Sequence, residues 1–234
     1  MRIVLILLSS LFTLSAYGQE WVLRGSGTFG TYNMAGMEQL QDEFVASVQP
    51  IAAKKVTSFP GWVGFDVEGS RLNGNLEWSS YFSYNATGGR VHYADYSGEV
   101  KLDQKLRCTT IGGGFTGKIN EWGNHQLRIG LRLGLAVTEM KLDNIVEIQN
   151  QIVESENVLF KSLNVHTTIL FRYEYTLKNF IFFADAGYLI APVKGAFTIN
   201  GDGEVYIQLN TGEKLRAEWG GARVAFGIGY KFQN

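Results

Sequence analysis

The 234-residue chain, 45% hydrophobic and 18% charged, carries enough apolar material for one sizeable domain and too much for a disordered chain. Its 21 Lys and Arg against 22 Asp and Glu give a formal net charge of −1, which leaves no basic excess to neutralise a phosphate backbone and argues against nucleic acid as a partner. Twenty-eight glycines, 3 prolines and 13% aromatics suit an all-β protein better than a helical bundle.

The chain opens MRIVLILLSSLFTLSAYG, with Arg2, an apolar run over 3–14 and a small-x-small end at Ala16-Tyr17-Gly18. This pattern predicts a secretory signal peptide over 1–18, cut before Gln19, with the mature domain over 19–234. A transmembrane helix needs about twenty apolar residues, and this run is shorter. No cysteine follows it, so a lipid-anchored mature terminus is not indicated. Losing Arg2, the only charged side chain of the segment, takes the net charge from −1 to −2. The single cysteine, Cys108, leaves an exported chain without an internal disulfide and reads as a small strand residue.

Beyond residue 19, arginine, acid or glycine interrupts every apolar segment, so the chain does not cross a membrane as helices. Period-two alternation predicts eight strands, at 21–32, 61–71, 75–86, 98–117, 125–139, 161–175, 180–191 and 214–232. The even-numbered connections are short and polar: 72–74 with Asn73-Gly74, 120–124, and 176–179. The odd-numbered ones are long: 33–60, 87–97, 140–160 and 192–213. Within the first long connection, residues 37–48 place Met37, Leu40, Phe44, Val45 and Val48 at helical spacing, which predicts a short helix on the barrel rim, a lid or partner-binding helix being the alternative. Alternating short turns and long loops is the plan of an antiparallel up-and-down transmembrane barrel with both termini in the periplasm, and eight is its usual smallest strand number.

The segment HQLRIGLRLGLAVTEM puts Leu127, Ile129, Leu131, Leu133, Leu135 and Val137 on one face and Arg128, Gly130, Arg132, Gly134 and Ala136 on the other. Residues 222–232 repeat the pattern, with Ala222, Val224, Phe226, Ile228, Tyr230 and Phe232 against Arg223, Ala225, Gly227, Gly229 and Lys231. Residues 165–175 set Val165, Thr167, Ile169, Phe171, Tyr173 and Tyr175 against His166, Thr168, Leu170, Arg172 and Glu174. An eight-stranded barrel is too narrow for large residues on every strand to point inward. An arginine on the lipid face near mid-bilayer would cost about 2–4 kcal/mol. The parity therefore sends the apolar sets outward, together with Val63/Phe65/Val67, Leu76/Trp78/Phe82 and Phe180/Phe182. The lumen is expected to hold Arg128, Arg132, Arg172 and Arg223 with Asp66, Glu68, Glu77, Glu174 and Asp185 as a hydrogen-bonded ion-pair network. The strand over 98–117 gives a mixed face in both parities, and its orientation stays open. Aromatics cluster toward the two ends of these strands, with Trp21, Trp78, Trp122, Tyr175, Phe180, Tyr230 and Phe232 at the turn end and Phe29, Trp62, Tyr84, Tyr188 and Trp219 at the loop end, as two interfacial girdles would.

On these residues the mature chain resembles the small eight-stranded outer-membrane proteins of Gram-negative bacteria, of the OmpA-barrel and OmpX types. The ending GIGYKFQN resembles the last strand of outer-membrane proteins common in Bacteroidetes; Phe232 matches the terminal aromatic that the resemblance implies as an assembly signal, with Gln233 and Asn234 following it. The resemblance implies a bacterial outer-membrane location and brings no catalytic position.

Other motifs carry less. GGGFTGK at 112–118 has the spacing of a phosphate loop but lacks its Ser/Thr, since Ile119 follows Lys118. His92, His125 and His166 lie on different segments without metal-ligand spacing. Asn85-Ala86-Thr87 is a formal glycosylation sequon without meaning in a bacterial protein. His92, Asp95 and Ser97 form the one polar group that would suit an outer-membrane lipid hydrolase. The expected function is a monomeric barrel with a packed lumen and no cofactor, embedded in outer-membrane lipid and acting structurally or through surface partners at loops 33–60, 140–160 and 192–213. The alternative is a secreted or periplasmic lipocalin-like binder, whose apolar face would line a cavity instead.

Overall fold

Strands that bury one face and present the other to lipid must satisfy all their backbone groups among themselves. The computed structural model shows how this chain does so; it describes residues 20–49, 51–55, 59, 61, 63–96, 98–149, 151–199 and 205–232. The leader expected over 1–18 lies outside them. In chain order the elements are β1 (Glu20–Gly30), α1 (Ala35–Ser47), β2 (Lys54–Lys55), β3 (Gly64–Asn73), β4 (Leu76–Asp95), β5 (Gly98–Trp122), β6 (His125–Ile148), β7 (Gln151–Leu177), β8 (Phe180–Val193), β9 (Thr198–Ile199) and β10 (Gly221–Phe232). The eight long strands pair antiparallel in the ring β1-β3-β4-β5-β6-β7-β8-β10, and β10 closes it against β1 from Trp21↔Phe232 to Gly30↔Arg223. The two-residue strands β2 and β9 pair with β4 and β7 at the loop end. Among the described residues no helix is long and apolar enough to cross a membrane.

At the other end three tight turns join β3–β4, β5–β6 and β7–β8. Their first residues, Gly74, Gly123 and Lys178, have φ of 61°, 61° and 55°. Each second residue is an asparagine whose carbonyl accepts from the next strand over: Asn75 from Lys118, Asn124 from Thr176 and Asn179 from Lys231, all at 2.8 Å. The turns are thus stitched into the rim of the ring.

The parity is the one expected for a membrane barrel and the reverse of a lipocalin. Leu133, Leu135, Phe226 and Phe171 are exposed by 55%, 61%, 70% and 52%, while Arg128, Arg172 and Glu77 are buried. From Leu127 to Val137 the apolar face of β6 runs about 33 Å along the strand, or about 23 Å across the bilayer at a 45° tilt, close to the usual apolar band. That band ends where Arg107, Glu139 and Lys161 stand side by side across β5, β6 and β7.

Above this charged row the strands differ from the sequence expectation. Connections 87–97 and 140–160 are strand over most of their length, because β4 runs on to Asp95, β6 to Ile148 and β7 begins at Gln151. Beyond the bilayer neither face need be uniformly apolar, so the alternation fades while the ladder continues. β4 to β7 therefore form a wall that rises beyond the membrane, next to the shorter β8, β10, β1 and β3. The same change of surroundings explains β5. Its even residues point inward, but Leu106 and Cys108 are apolar because they meet a packed lid, and the outward Lys105 and Arg107 are polar because they stand at or above the bilayer edge. The last strand begins at Gly221 rather than 214, since residues 214–219 are drawn into the mouth with only isolated bridges such as Ala196↔Arg216.

Lys178 occupies a backbone conformation that disfavours a side chain with Cβ and that glycine holds in the two sister turns. Lys178→Gly should raise stability by up to about 1 kcal/mol, whereas Lys178→Val should lower it. Urea unfolding of the refolded barrel in detergent checks both.

Candidate functional site

Midway along the barrel the inward positions of six strands meet in one layer. Arg24 comes from β1, Arg128 and Arg132 from β6, and Arg172 from β7; Asp66 and Glu68 come from β3, Glu77 from β4, Glu174 from β7 and Asp185 from β8. None of the nine is more than 9% exposed. Room for the β6 arginines comes from the residues alternating with them: a Cβ at Gly130 would lie 2.5 Å from Thr116 Cγ2, and one at Gly134 2.5 Å from the Tyr81 hydroxyl.

Glu68 is the hub. It accepts from Arg24 at 3.1 Å, from Arg172 at 2.7 and 3.3 Å, and from Arg132. Arg172 also grips Asp185 through two bonds of 2.8 Å, the bidentate geometry in which a planar guanidinium matches a carboxylate. Arg132 reaches Asp66 at 3.2 Å. Arg24 spans the lumen, donating to Glu77, to Glu174 at 2.8 Å and to Ser70 at 2.7 Å. Arg128 closes the far side against Glu174 at 3.2 Å and Glu77 at 3.3 Å. Charges removed from water are tolerable when paired and hydrogen-bonded in this way, and each guanidinium here has at least two acceptors.

Eight of the nine residues expected in the network are brought together, and Arg24 takes the ninth place. Arg24 was the omission: β1 carries Leu23 and Phe29 outward, but Gly25 and Gly27 dilute that face. The cost of a lipid-facing arginine would have turned Arg24 inward on the same logic. Arg223, expected in the network, stands above it. Its Nη1 donates to the carbonyl of Thr31 at 3.0 Å, its Nη2 to that of Trp219 at 2.7 Å, and its guanidinium lies over the Tyr32 ring at 4.3 Å.

Above the layer sits an apolar lid. Tyr32, Met34, Met37, Phe197, Leu215 and Trp219 fill the mouth and pack on the inner wall at Leu106, Met140, Phe160 and Leu189. The helix expected over 37–48 is α1, and it belongs to this lid rather than lying on the rim. Met37 and Gln41, one turn apart, are fully buried, and Gln41 donates to Gln104 of β5 at 2.9 Å. Trp219, expected in the outer girdle, is instead 1% exposed, with its indole N–H on Thr138 Oγ1 at 2.9 Å. The turn-end girdle is present as ring contacts, among them Phe180–Tyr230, Tyr230–Phe232 and Trp122–His125. Trp62 lies outside the described residues.

The remaining motifs are structural in place. Residues 112–118 are extended strand in β5, not a phosphate cradle. His125 bonds the Tyr173 hydroxyl at 2.6 Å at the turn end, His166 faces Thr110 at 3.4 Å in the lumen, and His92 faces Glu99 at 3.2 Å on the outer wall. Asp95 accepts from Tyr93 at 2.7 Å, and Ser97 lies outside the described residues. Outside the membrane band the Asp103 carboxyl is held below its usual range: burial alone would raise it, but hydrogen bonds and charge from Arg90, with charge from Lys101, outweigh that.

Arg24→Ala leaves Glu68, Glu77 and Glu174 crowded without a shared cation and should lower stability by about 3–5 kcal/mol, the usual cost of breaking a buried pair. Arg223→Ala, which abandons no carboxylate, should cost clearly less. Equilibrium unfolding of both variants in the same lipid is the comparison to make.

No family model matches the chain, and no curated protein matches it. Solved structures of similar shape include Ail, the attachment invasion locus protein of Yersinia pestis, in complex with the heparin analogue sucrose octasulfate, at 14% identity over 92% of this chain and 100% of that one, with a TM-score of 0.44. Neisserial surface protein A is 10% identical over 93% and 100%, with a TM-score of 0.43. The outer membrane protein OprG from Pseudomonas aeruginosa is 13% identical over 93% and 97%, with a TM-score of 0.46. The fold assignment for this chain rests on its own closed ring of eight strands and its apolar outer face.

Proposed function

We propose that this protein is a bacterial outer-membrane barrel, exported with a leader over 1–18, that acts as a structural or surface-interaction protein and not as a general diffusion pore. The observation that carries this reading is the double closure of the lumen, by the ion-pair layer around Glu68 and by the apolar lid above it. A solute would have to displace both. Contact with partners is then left to the outer surface: the wall of β4 to β7 with its hairpin across 140–160, and the parts of 33–60 and 192–213 that are not packed into the mouth. Tyr96, Ile152 and Val153, exposed by 101%, 68% and 65%, lie at the top of that wall. Lipid contacts the outer apolar band, and the protein works as a monomer without a cofactor. His92 and Asp95, engaged with Glu99 and Tyr93, carry no hydrolase role in this reading.

Two measurements test it. The precursor expressed in a Gram-negative host should fractionate with outer membranes and run faster on gels unboiled than boiled. The purified barrel in planar bilayers should show no steady conductance above the lipid alone. A soluble product would overturn the location, and a stable open channel would overturn the closed lumen.

A further inference from the structure

Between the ion-pair layer and the lid lies a partly open chamber of about 60 Å³. Its floor includes Thr28, Asp66, Arg132 and Asp185, and its ceiling Leu189 and Arg223, with His166 at the side. Thr28 and His166 are at most 7% exposed. Five polar atoms of these lining residues, Thr28 Oγ1, Asp66 Oδ1, His166 Nε2, Arg132 Nε and Arg223 Nε, make no hydrogen bond to any described residue. A buried polar group without a partner costs about 1–3 kcal/mol, so five around one small space is a costly arrangement for a dry cavity.

The charges around the chamber balance. Asp66 and Asp185 stand against Arg132 and Arg223, and an ion of either sign would meet its own charge as well as the opposite one. A neutral species that both donates and accepts fits this set. The two arginine nitrogens can only donate and the Asp66 carboxylate oxygen can only accept, while the threonine hydroxyl and the imidazole nitrogen can take either role. A volume of about 60 Å³ accommodates about two to four water molecules, and a polar cavity with several hydrogen-bonding walls is the kind that water fills.

We propose that the chamber is a built-in hydration site, in which a cluster of about two to four ordered waters joins Thr28, His166, Arg132 and Arg223 and so couples the ion-pair layer to the lid. The lumen is then closed at two levels but wet between them, which goes beyond the closed barrel proposed above and does not depend on its surface role. Arg223 is the shared element: it holds the lid through Thr31 and Trp219 and turns its free Nε toward the water.

Thr28→Val distinguishes a wet chamber from a dry one by the sign of its effect. The change is nearly isosteric and both residues suit a strand, so folding is retained. If water bonds the hydroxyl, its loss should lower the unfolding midpoint by about 2–4 °C. In a dry chamber the same change removes an unpaired hydroxyl and raises the midpoint. A crystal structure of the unmodified protein supplies the second reading, with ordered water expected within hydrogen-bonding distance of Thr28 Oγ1 and His166 Nε2. A raised midpoint, or a chamber without ordered density, overturns the proposal. Planar-bilayer conductance reports separately on the closed lumen, so failure of one reading is distinguishable from failure of the other.

Discussion

A charge in the middle of this molecule has two bad places to be. On the outer face it would sit in hydrocarbon, and alone on the inner face it would sit in a space too narrow to hydrate it fully. Both costs are avoided together only if every charged residue of the bilayer band points inward and finds its opposite there. The ring of strands, the glycines alternating with Arg128 and Arg132, and the convergence of arginines from three strands on Glu68 all follow from that requirement. The pairing is a condition of the fold more than a source of stability, since an apolar filling of equal volume can be as stable or more so.

The interior is therefore layered. Guanidinium–carboxylate pairs fill the middle, a small polar space lies above them, and an apolar lid built from Tyr32, α1 and the segment leading to Trp219 closes the mouth. The lid gives the loop end a core of its own outside the membrane band. It leans on the inner face of β5 and β6, which explains why the tall wall and the long first and last loops occur on opposite sides of the same barrel. Each needs the other to cover its apolar face.

Much of this was legible in the residues wherever the surroundings were uniform. The strands in the bilayer band, the orientation of all but β5, the tight turns and eight of the nine lumen charges could be read because lipid on one side and a narrow lumen on the other impose strict alternation. Legibility ended at the row of Arg107, Glu139 and Lys161. Above it β6 and β7 continue with mixed sequences such as DNIVEI, and nothing in the alternation distinguishes a continuing ladder from a loop. Trp219 and Arg223 were misplaced for a related reason: both lie near the end of the band, where an aromatic can serve a girdle or a lid and an arginine can serve an ion pair or a loop carbonyl. Only the return of distant segments into the mouth decides between those roles.

The seam between the first and last strands gives the charged layer a role in time as well as in space. Arg24 stands on β1 and Glu174 on β7, 150 residues apart in sequence. An open sheet, before β10 has docked on β1, holds the four lumen arginines and five acids along a curved ribbon that water can still reach, and their pairing across the lumen is incomplete. Closure completes the pairing in one event and expels that water. Contacts of such long sequence separation form late, so the layer rewards only the finished cylinder and gives little to a partly zipped one. Assembly is thereby biased toward all-or-none closure.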